Sequence, residues 1–339
     1  MQLKHTEIME PTILEIEPDE IHETLVQLES VVQTVPPELA GQRLDRAAAN
    51  LFPEYSRSRI QLWIDGGELL VDGQKKRRRD AVVVGMKLNL NPVTESQGDW
   101  QHQDIFFPVV YEDEDILVVD KPAGLVVHPG AGNWDGTLLN GLIHKYPGLI
   151  EIPRAGIVHR LDKDTTGLMV VAKNLVAQNN LVKQLQARSV TRLYKAIVFG
   201  GPTASGKIDE PMGRNPKNRL KMAVVANGKE AITAYRVKQK FNSHKLLELK
   251  LETGRTHQIR VHMAHKNWPI LGDPLYGGKS RLPKGCSEEL RAAIEGFPRQ
   301  ALHAFRLQLN HPKSGELVSW GSPLATDMQA MLEVLKDND

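Results

Sequence analysis

Five ionisable residues crowd the stretch AGIVHRLDKDTTGLMVVAK, residues 155–173: His159, Arg160, Asp162, Lys163 and Asp164. They stand between two apolar runs, Ile157-Val158 and Leu168 to Ala172, that read as short strands entering a core. Desolvating a charge is costly unless it is paired, so this is either a solvated turn or a set of groups that do chemistry. A carboxylate such as Asp162 can act as nucleophile or base if it stays ionised where water is excluded. Burial alone raises a carboxyl's pKa; an adjacent guanidinium reverses that, because arginine stays charged and pairs bidentately with carboxylates.

Partners for Asp162 lie in two distant stretches. SVTRLYKAIVFG sets Arg192, Tyr194 and Lys195 at a strand start. A tyrosine in a strand usually packs in a core, but it can also wall a site and stack on a planar substrate. LKLETGRTHQIRVHMAHKNWPILGDPLYGG breaks at Gly254 and continues with Arg255, His257, Arg260, His262 and His265 on what reads as a helix. A further stretch, LVVDKPAGLVVHP, places Lys121-Pro122 and Gly124 at a strand end and reads as a structural turn. Arg160 and Arg255 are extra cations suited to holding a phosphate backbone. A carboxylate, a guanidinium, an aromatic ring and outer cations are what an enzyme acting on a base inside RNA needs, since the nucleotide must be extruded and held.

Two other chemistries fit less well. His257, His262 and His265 are spaced by five and three, and only the last two share a helical face; the glutamate of an H-E-x-x-H helix is missing. Cys286 is the only cysteine, which excludes an internal disulfide and a thiolate zinc site within one chain. No metal is expected. DKDTTG mimics the D-x-D-x-T start of haloacid-dehalogenase-type phosphohydrolases, whose carboxylates hold magnesium. That fold needs an uninterrupted buried strand before the first aspartate, and here His159 and Arg160 interrupt it.

The elements that must position these groups divide the chain. Its 339 residues allow two domains, and 41% hydrophobic content suffices for a packed core. No window approaches the roughly 18 consecutive apolar residues of a membrane span. The N-terminus lacks a basic start and apolar stretch, so a cytoplasmic location is expected. Net charge is only +2, but nine acidic residues against Lys4 alone fall within residues 1–38. Without them the body is basic, which points to a polyanionic partner.

Residues 1–37 read as an acidic, flexible extension with a short helix near DEIHETLVQLESVV, and a compact unit is expected to start near Pro36-Pro37. Within residues 38–92, Leu44, Ala47, Ala48 and Leu51 have helical spacing, and Ser56 is placed to cap a second helix with Ile60, Trp63 and Ile64 on its apolar face. Gly66-Gly67 ends that helix, Asp72-Gly73 signals a hairpin, and AVVVGMKLNLN reads as a strand pair. Arg43, Arg57, Arg59 and the run Lys75, Lys76, Arg77, Arg78, Arg79 make a candidate phosphate-binding face. Residues 93–104 read as a linker, residues 105–330 as a large mixed α+β domain with a helix over LVAQNNLVKQLQ, and residues 331–339 as a tail.

QRLDRAAANLFPEYSRSRIQLWIDGGELLVDG resembles the S4 family of RNA-binding domains, with Asp72 where that family often has Asn. GIVHRLDKDTTGLMVVAK resembles the active-site motif of the RluA-type pseudouridine synthases, H-R-L-D-x-x-T-S/T-G-L. RLYKAIV, the LETGRTHQIRVHMAHKNWPILGDPLYGG stretch and YEDEDILVVDKPAGLVVHPG resemble that family's other motifs, in family order, across roughly residues 105 to 325.

The resemblance implies an α+β protein: a mainly antiparallel catalytic sheet preceded by a small S4-like domain. It implies isomerisation of uridine to pseudouridine without a cofactor, in which the glycosidic bond breaks, the uracil rotates and C5 joins the sugar. By this likeness Asp162 is the catalytic aspartate, Tyr194 the active-site tyrosine and Arg260 the basic residue paired with the aspartate. Arg160 matches the arginine that takes the flipped nucleotide's place. Arg255 and His257 fall among the substrate-binding residues, and Leu271 is an apolar wall below the ring. Within the family, the likeness points to members that modify 23S ribosomal RNA of the large subunit, at the helix 69 stem-loop, as monomers. A catalytically silent RNA-binding assembly factor with the same fold is the alternative.

Overall fold

Alternation along the central strands explains how this chain can bury charge beside apolar runs. In the computed structural model, residues 30–338 are described except Glu54, Ser56, 93–99, 131–132, 219–220 and 279–280, and the side chain of Ser58. The expected cap Ser56, most of the expected leader helix and most of the linker lie outside the described residues.

The N-terminal unit contains strand β1 (Val31–Thr34), helices α1 (Leu44–Leu51) and α2 (Arg57–Gly66), and strands β2 (Leu69–Val71) and β3 (Lys87–Leu90). The strands form an antiparallel sheet in the order β1-β3-β2. Leu44, Ala47 and Ala48 of α1 and Ile60, Trp63 and Ile64 of α2 are buried, as their spacing predicts. Asp72 and Gly73 both take left-handed backbone, φ 50° and 75°, the requirement of a tight I′-like turn.

Two expectations fail here. AVVVGMKLNLN yields one strand, β3, not a pair. The missing partner comes from upstream: Val31 to Thr34, assigned to the flexible extension, pair with Leu90 to Lys87. Val35 is 1% exposed, so the folded unit includes residues upstream of Pro36-Pro37, from Val31 at the latest. Acidic composition masked a short strand whose only signal was VVQTV.

The C-terminal unit contains strands β4 (Val109–Glu112) and β5 (Ile116–Lys121), helix α3 (Leu138–Lys145), strand β6 (Thr166–Ala172), helix α4 (Leu175–Gln186) and strand β7 (Thr191–Phe199). Strands β8 (Gly206–Asp209), β9 (Met212–Arg214), β10 (Met222–Val224), β11 (Ile232–Lys240) and β12 (His244–Leu251) follow. Helices α5 (Gln258–His265) and α6 (Glu288–Glu295), strands β13 (Leu302–Asn310) and β14 (Leu317–Gly321), and helix α7 (Thr326–Asp337) complete it. One large sheet runs β4-β5-β6-β13-β7-β12-β11-β8, with β14 beside β13. Its pairs are antiparallel except β13 with β6. The fold is therefore α+β with a mainly antiparallel sheet.

Every residue of β6 is buried. Met169 and Val171 point into the main core, whereas Leu168, Val170 and Ala172 join a second cluster with Ile116, Val118 and Leu181. Both faces of this strand are covered, which is why its sequence is a continuous apolar run. Ile157, expected on a strand, makes only an isolated bridge to Val171. Gly167, at φ 114°, lies so close to β13 that a Cβ would sit 2.3 Å from the Ala304 carbonyl oxygen.

Residues 331–337, expected in a tail, belong to α7, whose Met328, Met331 and Leu335 are buried. Their i, i+3, i+7 spacing is amphipathic, and the helix closes over the core beside α6. No helix among the described residues is long and apolar enough to cross a membrane.

Candidate active site

Asp162 lies on the turn that enters β6, with Thr165 N–H donating to its carbonyl at 3.0 Å. The next four residues are each held by a side chain from elsewhere. Lys121 Nζ, at the end of β5, donates to the Lys163 carbonyl at 2.8 Å. Arg299 Nη1 donates to the Asp164 carbonyl at 3.0 Å. Gln300 Nε2 reaches Thr165 Oγ1 at 3.1 Å, and Thr166 Oγ1 lies 2.8 Å from His303 Nδ1. The turn is thus over-determined, as a site holding a reacting group must be.

Lys121 is wholly buried and also donates to the Pro122 and Leu125 carbonyls. Burial brings its pKa down to about 7, against the pull of Asp164 and Asp162. His159 plays a different part, in which its Nε2 accepts the Val170 N–H at 3.1 Å. That bond requires an unprotonated nitrogen, and burial, with Arg192 nearby, lowers the ring's pKa to about 3.

Arg260 comes from α5 and its side chain is 7% exposed. Its Nη1 donates to Asp162 Oδ2 at 3.0 Å. Its Nε and Nη2 grip Asp273 Oδ2 and Oδ1, each at 2.8 Å. Asp273 also accepts the backbone N–H groups of Leu275 and Tyr276. Burial opposes charge on both partners, but their mutual pairing prevails: Asp273 is held below the usual carboxylate range and Arg260 above the usual guanidinium value. Asp273 thus fixes the fork, and the third donor is left for Asp162.

The Asp162 side chain is 16% exposed, and its Oδ1 accepts no hydrogen bond among the described residues. His257 Nε2 faces Oδ1 at 3.9 Å, beyond hydrogen-bond length. His257 sits in left-handed backbone, φ 56°, immediately before α5. Its Nδ1 lies 2.8 Å from Tyr276 Oη, which accepts the Met222 N–H. The phenol proton is then free to point at Nδ1, which puts the ring proton on Nε2, facing Asp162. Burial keeps His257 below its ordinary pKa despite Asp162.

Tyr194 on β7 is 4% exposed. Burial raises its phenol pKa; Asp162 adds to this and Arg192 opposes it, so the ring is a neutral wall at pH 7. A carboxylate with one free oxygen, beside a neutral phenol in a half-closed site, suits covalent or electrostatic work on a planar base.

The comparisons with known proteins agree with this chemistry. Residues 115–265 match the model of the family described as RNA pseudouridylate synthase. The chain is 57% identical over 304 residues to the ribosomal large subunit pseudouridine synthase D of Pseudomonas aeruginosa, covering 90% of this chain and 95% of that one. It is 51% identical over 313 residues to the protein of the same name from Escherichia coli strain K12, covering 92% and 96%. The chain belongs to the RNA pseudouridylate synthase family. Among solved structures, human RNA pseudouridylate synthase domain containing 4 is 28% identical with a TM-score of 0.54, covering 67% of this chain and 92% of that chain. Human RNA pseudouridylate synthase domain containing 1 is 26% identical with a TM-score of 0.51, covering 68% and 95%.

As an RNA pseudouridine synthase the chain brings Asp162, Arg260, His257 and Tyr194 together. Arg160 is exposed, and its charge reaches His257. Arg255 is exposed beside the same helix start, with Nε on the Glu230 carbonyl. Leu271 is 6% exposed and belongs to the same core cluster as Tyr194. It lines a cleft of about 140 Å³ with Phe199, His244 and Phe297, whose lining includes neither Asp162 nor Tyr194. Its backbone is tied to Ile197 and Ala301.

Of the histidines weighed as metal ligands, His262 is taken up by Thr233 Oγ1 and the Glu210 carbonyl. Asp113, Asp115 and His311 do converge, within 4.8 Å. They are already engaged, though: Asp113 accepts from Tyr111, His311 and two backbone N–H groups.

In the N-terminal unit Arg43 Nε and Arg57 Nη2 both bind the wholly buried Asp45, at 3.0 and 2.8 Å, and remain half exposed. Arg59 stands over the Trp63 ring. Arg77 pairs with Asp80 and Arg78 with Asp65, whereas Lys75 and Arg79 are exposed and Lys76 is half-buried.

Sequence reasoning missed Asp273, Lys121 and Tyr276. Asp273 and Tyr276 stand in GDPLYGG, where the available signal was an acidic residue next to a glycine turn. For Lys121 the signal was a lysine closing an apolar strand.

Proposed function

We propose that this pseudouridine synthase modifies uridines of 23S ribosomal RNA in the large subunit, at the helix 69 stem-loop, with Asp162 as the reacting carboxylate. The observation that carries the reading is the Asp162–Arg260 bond, fixed from behind by Asp273, with one carboxylate oxygen left free. The ribosomal part rests on the names of the two bacterial relatives, and the helix 69 target on the likeness of the sequence motifs.

In the reaction the N1–C1′ bond breaks, the uracil turns, a C5–C1′ bond forms, and the C5 hydrogen leaves to solvent while N1 regains a proton. Asp162 Oδ1 faces the extruded nucleotide, Tyr194 stacks on the uracil, and Arg260 orients the carboxylate. Arg160 fills the place the nucleotide vacates, and Arg255 and His257 line the entry. The S4-like unit holds RNA phosphates through Arg43, Arg57, Arg59 and the Lys75–Arg79 run.

Mapping pseudouridine in ribosomal RNA from cells with and without this protein tests the target. Loss of modification confined to the helix 69 loop is expected; loss elsewhere in 23S RNA would redirect the site, and an unchanged map would end the ribosomal reading.

A further inference from the structure

Arg260 has two anions and Arg299 has Asp327, but among the described residues a third buried guanidinium in the catalytic unit has none. Arg192, on β7, is 8% exposed. Its Nε is buried without a hydrogen-bond partner, and no ion pair to its guanidinium occurs among the described residues. A largely buried guanidinium with no counter-charge beside it, its Nη1 and Nη2 not closed off, is placed to receive an anion.

The geometry says where that place is. Arg192 and Tyr194 are two apart on one strand, so they share a face, and both are buried. Tyr194 belongs to the main core cluster, and the charge of Arg192 acts on both Tyr194 and His159. The end of the side chain lies against the loop before α5: a Cβ on Gly254 would sit 2.9 Å from Arg192 Nη1. Glycine at 254 therefore leaves room for the guanidinium, next to Arg255 and the start of the helix that carries Arg260.

We propose that Arg192 is an anion subsite beside Tyr194 and the loop before α5, and that it takes a phosphodiester oxygen of the extruded nucleotide. This rests on the reading of the Asp162 site as the place of a flipped uridine. The bound phosphate supplies the missing counter-charge, and the exposed Arg160 and Arg255 meet the flanking phosphates at the rim. The buried charge then couples extrusion to catalysis, because only a nucleotide fully inside the site reaches it.

The test is a cycle between Arg192→Met and synthetic large-subunit stem-loops in which single phosphates around the target uridine are replaced by neutral methylphosphonates. On all-phosphate RNA the variant should lose about 10- to 100-fold in kcat/KM, as for a lost charge-assisted bond. At one flanking position the methylphosphonate should cost wild type a similar factor and cost Arg192→Met little more. Additive losses at every position would overturn the proposal, as would unaltered kinetics of the variant. Should Arg192→Met fail to fold, Arg192→Lys enters the same cycle, and Gly254→Ala displaces the guanidinium while keeping its charge; additivity in both would be equally fatal. If wild type leaves the all-phosphate RNA unconverted, the ribosomal reading itself fails, a result distinct from conversion without coupling.

Discussion

At the scale of single residues, the site works by assigning each charge one partner and leaving one atom free. Asp273 commits its oxygens to Arg260 and two backbone amides, so Arg260 can offer its last donor to Asp162. Asp162→Asn should abolish pseudouridine formation while RNA affinity survives, because the amide keeps the shape and loses the charge. Release of tritium from C5-labelled uridine and a filter-binding assay read the two effects separately; retained tritium release would remove Asp162 from the chemistry. Asp273→Asn reaches the same atom indirectly. It leaves a buried guanidinium half paired, so stability should fall by about 3 kcal/mol and kcat should drop while KM stays near its original value. A stable variant with full kcat would mean that Arg260 orients itself without the clamp.

At the scale of elements, the turn 162–166 is rigid because β5, β6 and β13 meet around it. Gly167 permits the approach of β6 to β13, and its φ of 114° suits glycine alone. Gly167→Ala should cost about 1–3 kcal/mol through strain and overpacking, and thermal unfolding would read this. An unchanged midpoint would show that the strands have slack. His159 ties the same turn to β6 in a pH-dependent way. Its folded pKa of about 3 lies below the unfolded value of 6.5. Between those values the unfolded chain binds the proton and the folded one does not. The contribution is thus fully present above pH 6.5 and is lost as pH falls toward 3, by roughly a few kcal/mol in all. Urea midpoints measured from pH 7 to pH 4 should fall more steeply in wild type than in His159→Gln, whose carbonyl still accepts the Val170 N–H. Parallel slopes would mean the ring titrates normally.

At the scale of the whole molecule, segments near both ends of the chain reach into the fold. α7 supplies Asp327, which holds Arg299, which in turn holds the Asp164 carbonyl two residues from Asp162. Val31 to Thr34 complete the sheet of the N-terminal unit, which carries the cationic face. In that face Arg77 and Arg78 already have carboxylate partners, so Lys75, Lys76 and Arg79 are the charges most available to RNA. Replacing these three with glutamine should weaken binding alike for all RNAs. It should also reduce the slope of log affinity against log salt by about 0.7 to 0.9 per lost phosphate contact. An unaltered slope would turn this run away from the RNA.

The local elements and much of the site chemistry were legible in the sequence. Helical and strand periodicity are nearest-neighbour properties, which is why α1, α2, α4 and β7 lie where their apolar spacing puts them. The motifs around Asp162, Tyr194 and Arg260 were visible because each combines a charge or a ring with an apolar strand or a glycine break. The likeness already named Arg260 as the partner of Asp162. What only the tertiary structure decided is the rest of the pairing, Asp273 behind Arg260 and Arg299 on the Asp164 carbonyl. The hydrogen bond from Arg260 to Asp162 spans 98 positions, and that from Arg299 to Asp164 spans 135. No local pattern records such a choice, because the energy of a buried charge depends on the groups that folding brings within a few ångströms of it. For the same reason the strand at 31–34 hid in an acidic leader, and Lys121 passed for a turn residue.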